Sequence, residues 1–157
     1  MLTRSKKTLG RAILSSHLDR RGARTSLFPA AAVADPTGAQ ATLAAVSGTG
    51  SGKVVIAPTA EDHGTFAVQI TVNVHGASPN RTYVINRAPD LNPDGVCTGA
   101  FMFTSTLVTS AGGAGAVHFD LHRGAPFVSG TKFDVKWQLL GDDGSQLVSD
   151  CVTVTVK

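Results

Sequence analysis

One stretch in the middle of the chain alternates between apolar and polar or small side chains, and this pattern constrains the fold more than any other feature. Between residues 66 and 74, Phe, Val, Ile, Val and Val alternate with Ala, Gln, Thr and Asn. Successive side chains on a β-strand point to opposite faces, so a period of two predicts a strand with one buried face. A helix would place its apolar residues three and four positions apart.

Similar segments recur along the chain and are separated by turn sequences rich in Gly, Asn, Asp and Pro. The predicted strands are 53–57, 66–74, 82–87, 101–108, 117–121, 133–139 and 147–156. Short strands with turns about every ten residues are typical of a sandwich. The sequence therefore predicts an all-β fold, a single antiparallel β-sandwich of about seven strands. The side chains expected in its core are Phe66, Val68, Ile70, Val72, Phe119, Phe133, Val135, Trp137, Val152 and Val154.

The segment Pro79-Asn-Arg-Thr-Tyr-Val84 resembles the strand entry of fibronectin type III and related bacterial immunoglobulin-like modules. The resemblance covers about eight residues. It implies an immunoglobulin-like sandwich in which the Tyr83 hydroxyl bonds back to the preceding turn. In that family this corner lies near the end of the domain, whereas here four predicted strands follow it. The topology is therefore expected to differ from that of a plain fibronectin type III domain.

Composition divides the chain into three parts. Residues 1–34 form a basic, non-globular leader or arm, residues 35–52 are predicted to be a flexible linker, and residues 53–157 form the sandwich domain. The linker prediction depends on its Ala, Gly, Ser and Thr content and on the Gly-Thr-Gly-Ser-Gly run at 48–52. Residues 41–46 fit either a short first strand or a helical turn.

The charge is distributed unevenly between these parts. Residues 1–34 carry seven basic groups and one acid, a net charge of +6, whereas residues 35–157 carry seven basic and ten acidic groups, a net charge of −3. Binding to phosphate backbones requires clustered Lys and Arg side chains. The folded domain is therefore not expected to bind nucleic acid.

The basic segment has features of an export signal. A weak apolar region ends in Ala32-Val-Ala34, a small-residue cleavage pattern, and Arg20-Arg21 partly fits a twin-arginine signal. A retained basic arm that contacts a partner is the alternative, followed by a misassigned start or plain disorder. No stretch of eighteen apolar residues is present, so no transmembrane helix is predicted.

The two cysteines, Cys97 and Cys151, lie outside any Cys-x-x-Cys or Cys/His cluster. A zinc site is therefore disfavoured, and an even count in a strand-rich domain predicts one disulfide. Such a bond favours an oxidising compartment, outside the cell or at its surface. Two reduced, buried thiols are the alternative.

The loop at residues 90–95 is the candidate metal site. Asp90, Asn92 and Asp94 alternate before Gly95, as at the start of a calcium-binding loop, although Phe101 stands where an EF-hand has its Glu. Calcium is thus the one cofactor that the sequence suggests. Further oxygen ligands are expected from a backbone carbonyl or from Asp142 and Asp143 in another loop. The alternative is an Asx-rich turn without a metal.

No other pattern carries clear chemistry. His118, Asp120 and His122 share one strand face, but residues four apart on a strand lie about 13 Å from each other, so one metal could not bind both histidines. No nucleophile elbow is present, and the Gly-rich run at 48–52 lacks the spacing of a phosphate-binding loop. The chain is therefore predicted not to be an enzyme.

Two functions follow as expectations. The first is a non-enzymatic, secreted or surface-associated binding module that contacts a protein or a surface glycan through its loops. The alternative is a structural assembly subunit, such as a virion or shell decoration protein, with a retained N-terminal arm. A secreted enzyme comes third.

Overall fold

The computed structural model describes residues 38–60, 65–124 and 127–157, and every regular element in these ranges is a β-strand. None of the described residues forms a helix that could cross a membrane. The nine strands are β1 (Ala39–Ser47), β2 (Ser51–Ala60), β3 (Phe66–His75), β4 (Thr82–Asp90), β5 (Met102–Val108), β6 (Gly115–Arg123), β7 (Lys132–Gly141), β8 (Gln146–Ser149) and β9 (Val152–Thr155).

The strands form one antiparallel sheet in the order β5-β4-β7-β8-β1-β2-β3-β6, and β9 pairs with β7 beside β8. The all-β, antiparallel prediction is confirmed. The expected number of about seven strands is wrong, because the described part of the chain has nine. Two separate sheets are also not observed, because β8 and β1 are hydrogen-bonded to each other and join the two halves.

The sheet curls around its own core. Along the sheet, β7 and β3 are four strand spacings apart, about 19 Å if the sheet were flat. The ring centroids of Phe133 on β7 and Phe66 on β3 are nevertheless 6.2 Å apart. At one end the two edge strands also approach, since a methyl group on Gly115 of β6 would lie 2.8 Å from the Leu107 side chain of β5. The sheet is therefore nearly closed at that end.

The first strand lies inside the region predicted to be a linker. Residues 39–47 form β1, which pairs with β2 on one side and β8 on the other, and Ala41 and Leu43 are fully buried. The linker prediction for 35–52 is therefore wrong over this strand, and of the two alternatives for 41–46 the strand is correct. Alanine side chains carry little hydrophobic signal, so the pairing partners on both sides decide the structure here. The predicted leader, residues 1–34, lies outside the described residues.

The last predicted strand is divided in two. Between the pairs Gln138↔Val148 and Val135↔Val152, three residues of the final segment lie opposite two residues of β7. This extra residue is a bulge, and it reverses which side chains face inward. Leu147 and Ser149 are buried before it, and Val154 after it.

Eight of the ten predicted core residues are buried, which confirms the period-two pattern for most of the chain. Phe119 and Val152 are only half-buried. Phe119 lies on β6, an edge strand for which β3 is the one partner among the described strands, so none of these strands covers its other side. The buried cluster also includes several aliphatic residues that were not among the ten, such as Leu43, Ile85, Leu139 and Leu147.

Tyr83 makes the contact that the immunoglobulin-like resemblance implies. It is fully buried, and its hydroxyl accepts a hydrogen bond from the Ser78 backbone N–H at 3.3 Å, in the turn before β4. The same hydroxyl lies 2.7 Å from Ser145 Oγ, and Ser145 Oγ donates to Asp143 at 2.5 Å. Because the serine proton is used on Asp143, Tyr83 donates to Ser145. The chain of bonds joins the β3–β4 turn to the β7–β8 turn.

Candidate ligand-binding site

The edge strands β5 and β6 take part in the wall of an apolar cavity, which we call the β5–β6 cavity. Its volume is about 320 Å³, and it is partly open to solvent. Met102 of β5 and Leu121 and Arg123 of β6 belong to its wall. The two strands approach near Leu107 and Gly115, at the other end of each strand from these wall residues. The cavity is therefore next to the end of the sheet that is not closed by the Leu107–Gly115 approach.

The wall is built from the inward-facing side chains of strands in which apolar and polar residues alternate along the sequence. Val68 and Ile70 on β3 are buried, and Val68 pairs with Leu121 on β6. The other side of the wall comes from β7, whose inward residues are Phe133, Val135 and Trp137. Because apolar residues alternate along both strands, their aligned faces give a continuous apolar surface.

Three phenylalanine rings form one end of the wall. The centroids of Phe66 and Phe127 are 4.7 Å apart, and those of Phe127 and Phe133 are 5.6 Å apart in an edge-to-face arrangement. Such aromatic contacts are favourable beyond the area they bury. They favour this arrangement of the three rings at the end of the wall.

Arg87 is the polar residue set deepest in the wall. It pairs with Trp137 of β7 on one side and Met102 of β5 on the other, and it is 7% exposed. Its Nη1 donates to Thr104 Oγ1 at 3.0 Å. Within the described ranges, no carboxylate forms an ion pair with Arg87. A guanidinium carries five N–H donors, so most of its donor capacity is not used by these contacts.

Two further polar features accompany Arg87. The indole Nε1 of Trp137 is buried and has no hydrogen-bond partner in the described structure. Arg123, at the end of β6, pairs with Phe66 and adds a second guanidinium to the wall, where it is exposed. The described wall contains no Asp or Glu, so its charged groups are both positive.

The loop at 90–95 has the geometry of an Asx-rich turn. Asp90 accepts hydrogen bonds from the Asn92 backbone and from the Thr98 backbone and hydroxyl, at 2.6 to 3.0 Å. These bonds, with that from the Thr98 hydroxyl the largest, lower the pKa of Asp90 below its usual value. Asp94 accepts from the Asn92 side chain and the Val96 backbone. The protein itself thus supplies donors to the Asp90 and Asp94 carboxylate oxygens proposed for calcium.

Asp142 and Asp143 do not join this loop. They lie near Arg81, 3.9 Å from its Nε, and accept from Thr82 and Ser145 at the other end of β4. The loop instead contacts Asp134 of β7. Among the described residues, no group of three or more His, Cys, Asp or Glu side chains is arranged to hold a metal ion. Calcium binding by Asp90, Asn92 and Asp94 stays a prediction.

Asp134 is fully buried, and no pattern in the sequence indicates this. One carboxylate oxygen accepts from the Gly95 backbone at 2.6 Å, and the other accepts from the Thr153 hydroxyl at 2.5 Å. It therefore ties the 90–95 loop to β7 and β9. Alternation assigns Asp134 to the outer face of β7. The sequence does not indicate that a loop covers that face at this position.

The predicted disulfide is confirmed. Cys97 and Cys151 are bonded, with a Cα–Cα distance of 5.6 Å and a sequence separation of 54 residues. Cys151 lies at the break between β8 and β9, so the bond joins the β4–β5 loop to the bulged final segment.

The His118 and Asp120 side chains lie on the exposed face of β6, opposite the cavity wall. His118 shares a hydrogen bond with Thr71 at 2.9 Å through Nδ1, and its Nε2 lies 3.8 Å from Asp120. His122 is exposed on the same face. This matches a solvated polar face better than a metal site.

The cavity itself was not predicted. Its wall residues are those expected in an ordinary core, and alternation cannot show that two edge strands fail to meet. The one available signal was Arg87, a charged residue at an inward position of a predicted strand.

No protein-family model matches the chain, and comparison with curated proteins finds no match.

Proposed function

We propose that the domain is a non-enzymatic binding module whose ligand is a small, mainly apolar molecule held in the β5–β6 cavity. The observation that carries the proposal is the partly open cavity of about 320 Å³, which reaches the buried apolar side chains of a small domain. Protein interiors are normally close-packed, with few voids larger than a water molecule. Sites for small molecules begin at roughly 300 Å³ and have apolar walls with a few polar groups.

The energetics support the same function. Apolar side chains that line a partly open cavity stay in contact with water, and a mainly apolar ligand would remove that apolar area from water. The domain is proposed to act outside the reducing cytosol, in a secreted or surface-associated protein, because a disulfide persists there. A module that bound a protein or a glycan through its loops alone would not need such a cavity.

A substitution that fills the cavity tests this proposal. Val68→Phe adds a ring to a buried wall position, and we expect it to weaken the binding of a neutral apolar fluorophore, N-phenyl-1-naphthylamine, at least tenfold. A loss of that size corresponds to about 1.4 kcal/mol. Binding to the full chain is measured by fluorophore emission and by the emission of Trp137, the one tryptophan.

Val84→Phe is the matched control, because it is the same substitution at an exposed position on the outer face of β4. It should leave fluorophore binding unchanged. Absence of saturable binding by the natural chain, or an equal loss in both variants, would contradict the proposal.

An assembly subunit is the second candidate, and the outer side of β5 favours it. In the part of the chain that the structure describes, this edge strand pairs with β4 alone, and Phe103 and Val108 on it are each 66% exposed. Val84 and Leu140, which pair with each other, extend the apolar surface across β4 and β7. An exposed edge with apolar side chains is a common site of association.

The second candidate predicts self-association through β5. Phe103→Ser should then lower the apparent mass of the full chain in sedimentation velocity and leave fluorophore binding unchanged. Val128→Ser removes a comparably exposed apolar residue between β6 and β7 and is the control. A natural chain that is monomeric at every concentration would count against this function.

A further inference from the structure

We propose that the ligand of the β5–β6 cavity is an amphipathic carboxylate, with its alkyl chain in the cavity and its head group on the guanidinium of Arg87. The inference rests on the proposed function and specifies its ligand. A medium-chain alkyl carboxylate is the chemical class that the wall fits.

The burial of the charged Arg87 side chain is unfavourable without a partner of opposite charge. A buried charge is unfavourable unless it is paired and hydrogen-bonded. Arg87 is only 7% exposed, and its hydrogen bond within the described residues goes to the neutral hydroxyl of Thr104. An anion in the cavity would supply the missing charge and accept the unused donors, and the planar guanidinium matches a carboxylate in two-point geometry.

The second step is the neighbouring indole. Trp137 is the direct cross-strand partner of Arg87, and both belong to the cavity wall. The buried Nε1 of Trp137 has no acceptor in the described structure. Buried donors in native proteins nearly always have a partner, which can be a bound molecule. Trp137 Nε1 has no acceptor in the described structure, and Arg87 has one, the Thr104 hydroxyl, for its five N–H groups, so a ligand that supplies acceptor oxygens fits both side chains.

The third step is the sign of the charge. Arg123 adds a second cation at the exposed end of β6, and the described wall holds no carboxylate. A cationic ligand would be repelled, and a polyhydroxylated one would bury its hydroxyl groups against apolar side chains. An apolar chain with one anionic head satisfies both the Phe-rich wall and the arginines.

The experiment compares decanoate with 1-decanol, two probes with the same chain length and different heads. Binding to the full chain is measured by calorimetry and by Trp137 emission. Decanoate is expected to bind at least tenfold more tightly than decanol, as charge-assisted hydrogen bonds are about twice as strong as neutral ones. Arg87→Met keeps much of the apolar stem and should remove that advantage, so that decanoate no longer binds more tightly than decanol.

The controls separate this inference from the function on which it rests. Lys132→Gln removes one positive charge at an exposed position outside the wall and should change neither affinity. Equal affinities for decanoate and decanol would overturn the inference and leave the apolar binding site standing. Failure of both probes to bind would overturn the proposed function as well. Should Arg87→Met not fold, the two-probe comparison still decides, together with Arg123→Gln, which should lower the affinity for decanoate more than that for decanol.

Discussion

Replacing both Cys97 and Cys151 by alanine is expected to lower the free energy of unfolding by about 4 kcal/mol. The bond closes a separation of 54 residues, and a cross-link of that span removes much of the conformational freedom of the unfolded chain. The effect should be among the largest that a change outside the apolar core can produce. Urea unfolding of the double variant and of the natural, oxidised chain measures it.

The disulfide is not the only tie between these segments. Asp134 also holds the β4–β5 loop, through Gly95, and holds β9 through Thr153. The loop should therefore keep its position when the bond is absent, so the loss arises mainly in the unfolded state. The reduced natural chain is the control, and its stability should match that of the double variant. A loss below about 1 kcal/mol in both would contradict the loop-closure account.

The alternating strands, most of the core and the disulfide could be predicted from the sequence. Strand patterns are local: each buried position of β3 is two residues from the next, and burial of one face follows from that spacing alone. The cysteine prediction needed only an even count and the absence of a metal-binding pattern. These features do not depend on knowing which strands are neighbours.

The features that depend on long-range pairing could not be predicted. The Ala-rich β1 has its position because β2 and β8 provide hydrogen-bonding edges. The bulge before β9 is visible only as a register shift against β7. The cavity requires knowledge that β5 and β6 are the two sheet edges, and this is a property of the whole topology.

The candidate site illustrates the same limit with individual residues. Asp90, Asn92 and Asp94 form a pattern because they are close in sequence, and in the structure the two carboxylates accept from nearby donors, one of which is the Asn92 side-chain amide. Arg87 and Trp137 are fifty residues apart, and only the pairing of β4 with β7 brings them together. Sequence spacing finds local turns, whereas a ligand site built across strands requires the register.

Trp137→Ala is expected to destabilise the fold by about 3–5 kcal/mol. Trp137 is 1% exposed and lies on β7, the strand that pairs with β4, β8 and β9. Removing the indole would leave a larger space beside the existing cavity, and the curled sheet cannot collapse to fill it without breaking strand pairs. The backbone N–H of residue 137 would still donate to Ser149 Oγ, so the loss reports side-chain packing. Urea unfolding with circular dichroism detection measures it.

Trp137→Phe separates the packing contribution from that of the polar nitrogen. It keeps an aromatic ring and removes the buried Nε1 donor, which has no acceptor in the described structure. Because leaving a buried donor unpaired is itself unfavourable, part of the packing loss should be offset, and the cost should stay near 1–2 kcal/mol. The gap between the two variants is the critical result. Equal losses for Ala and Phe would mean that Nε1 has a bonding role that stabilises the protein, and a loss under 1 kcal/mol for Ala would mean that the residue does not pack in the core.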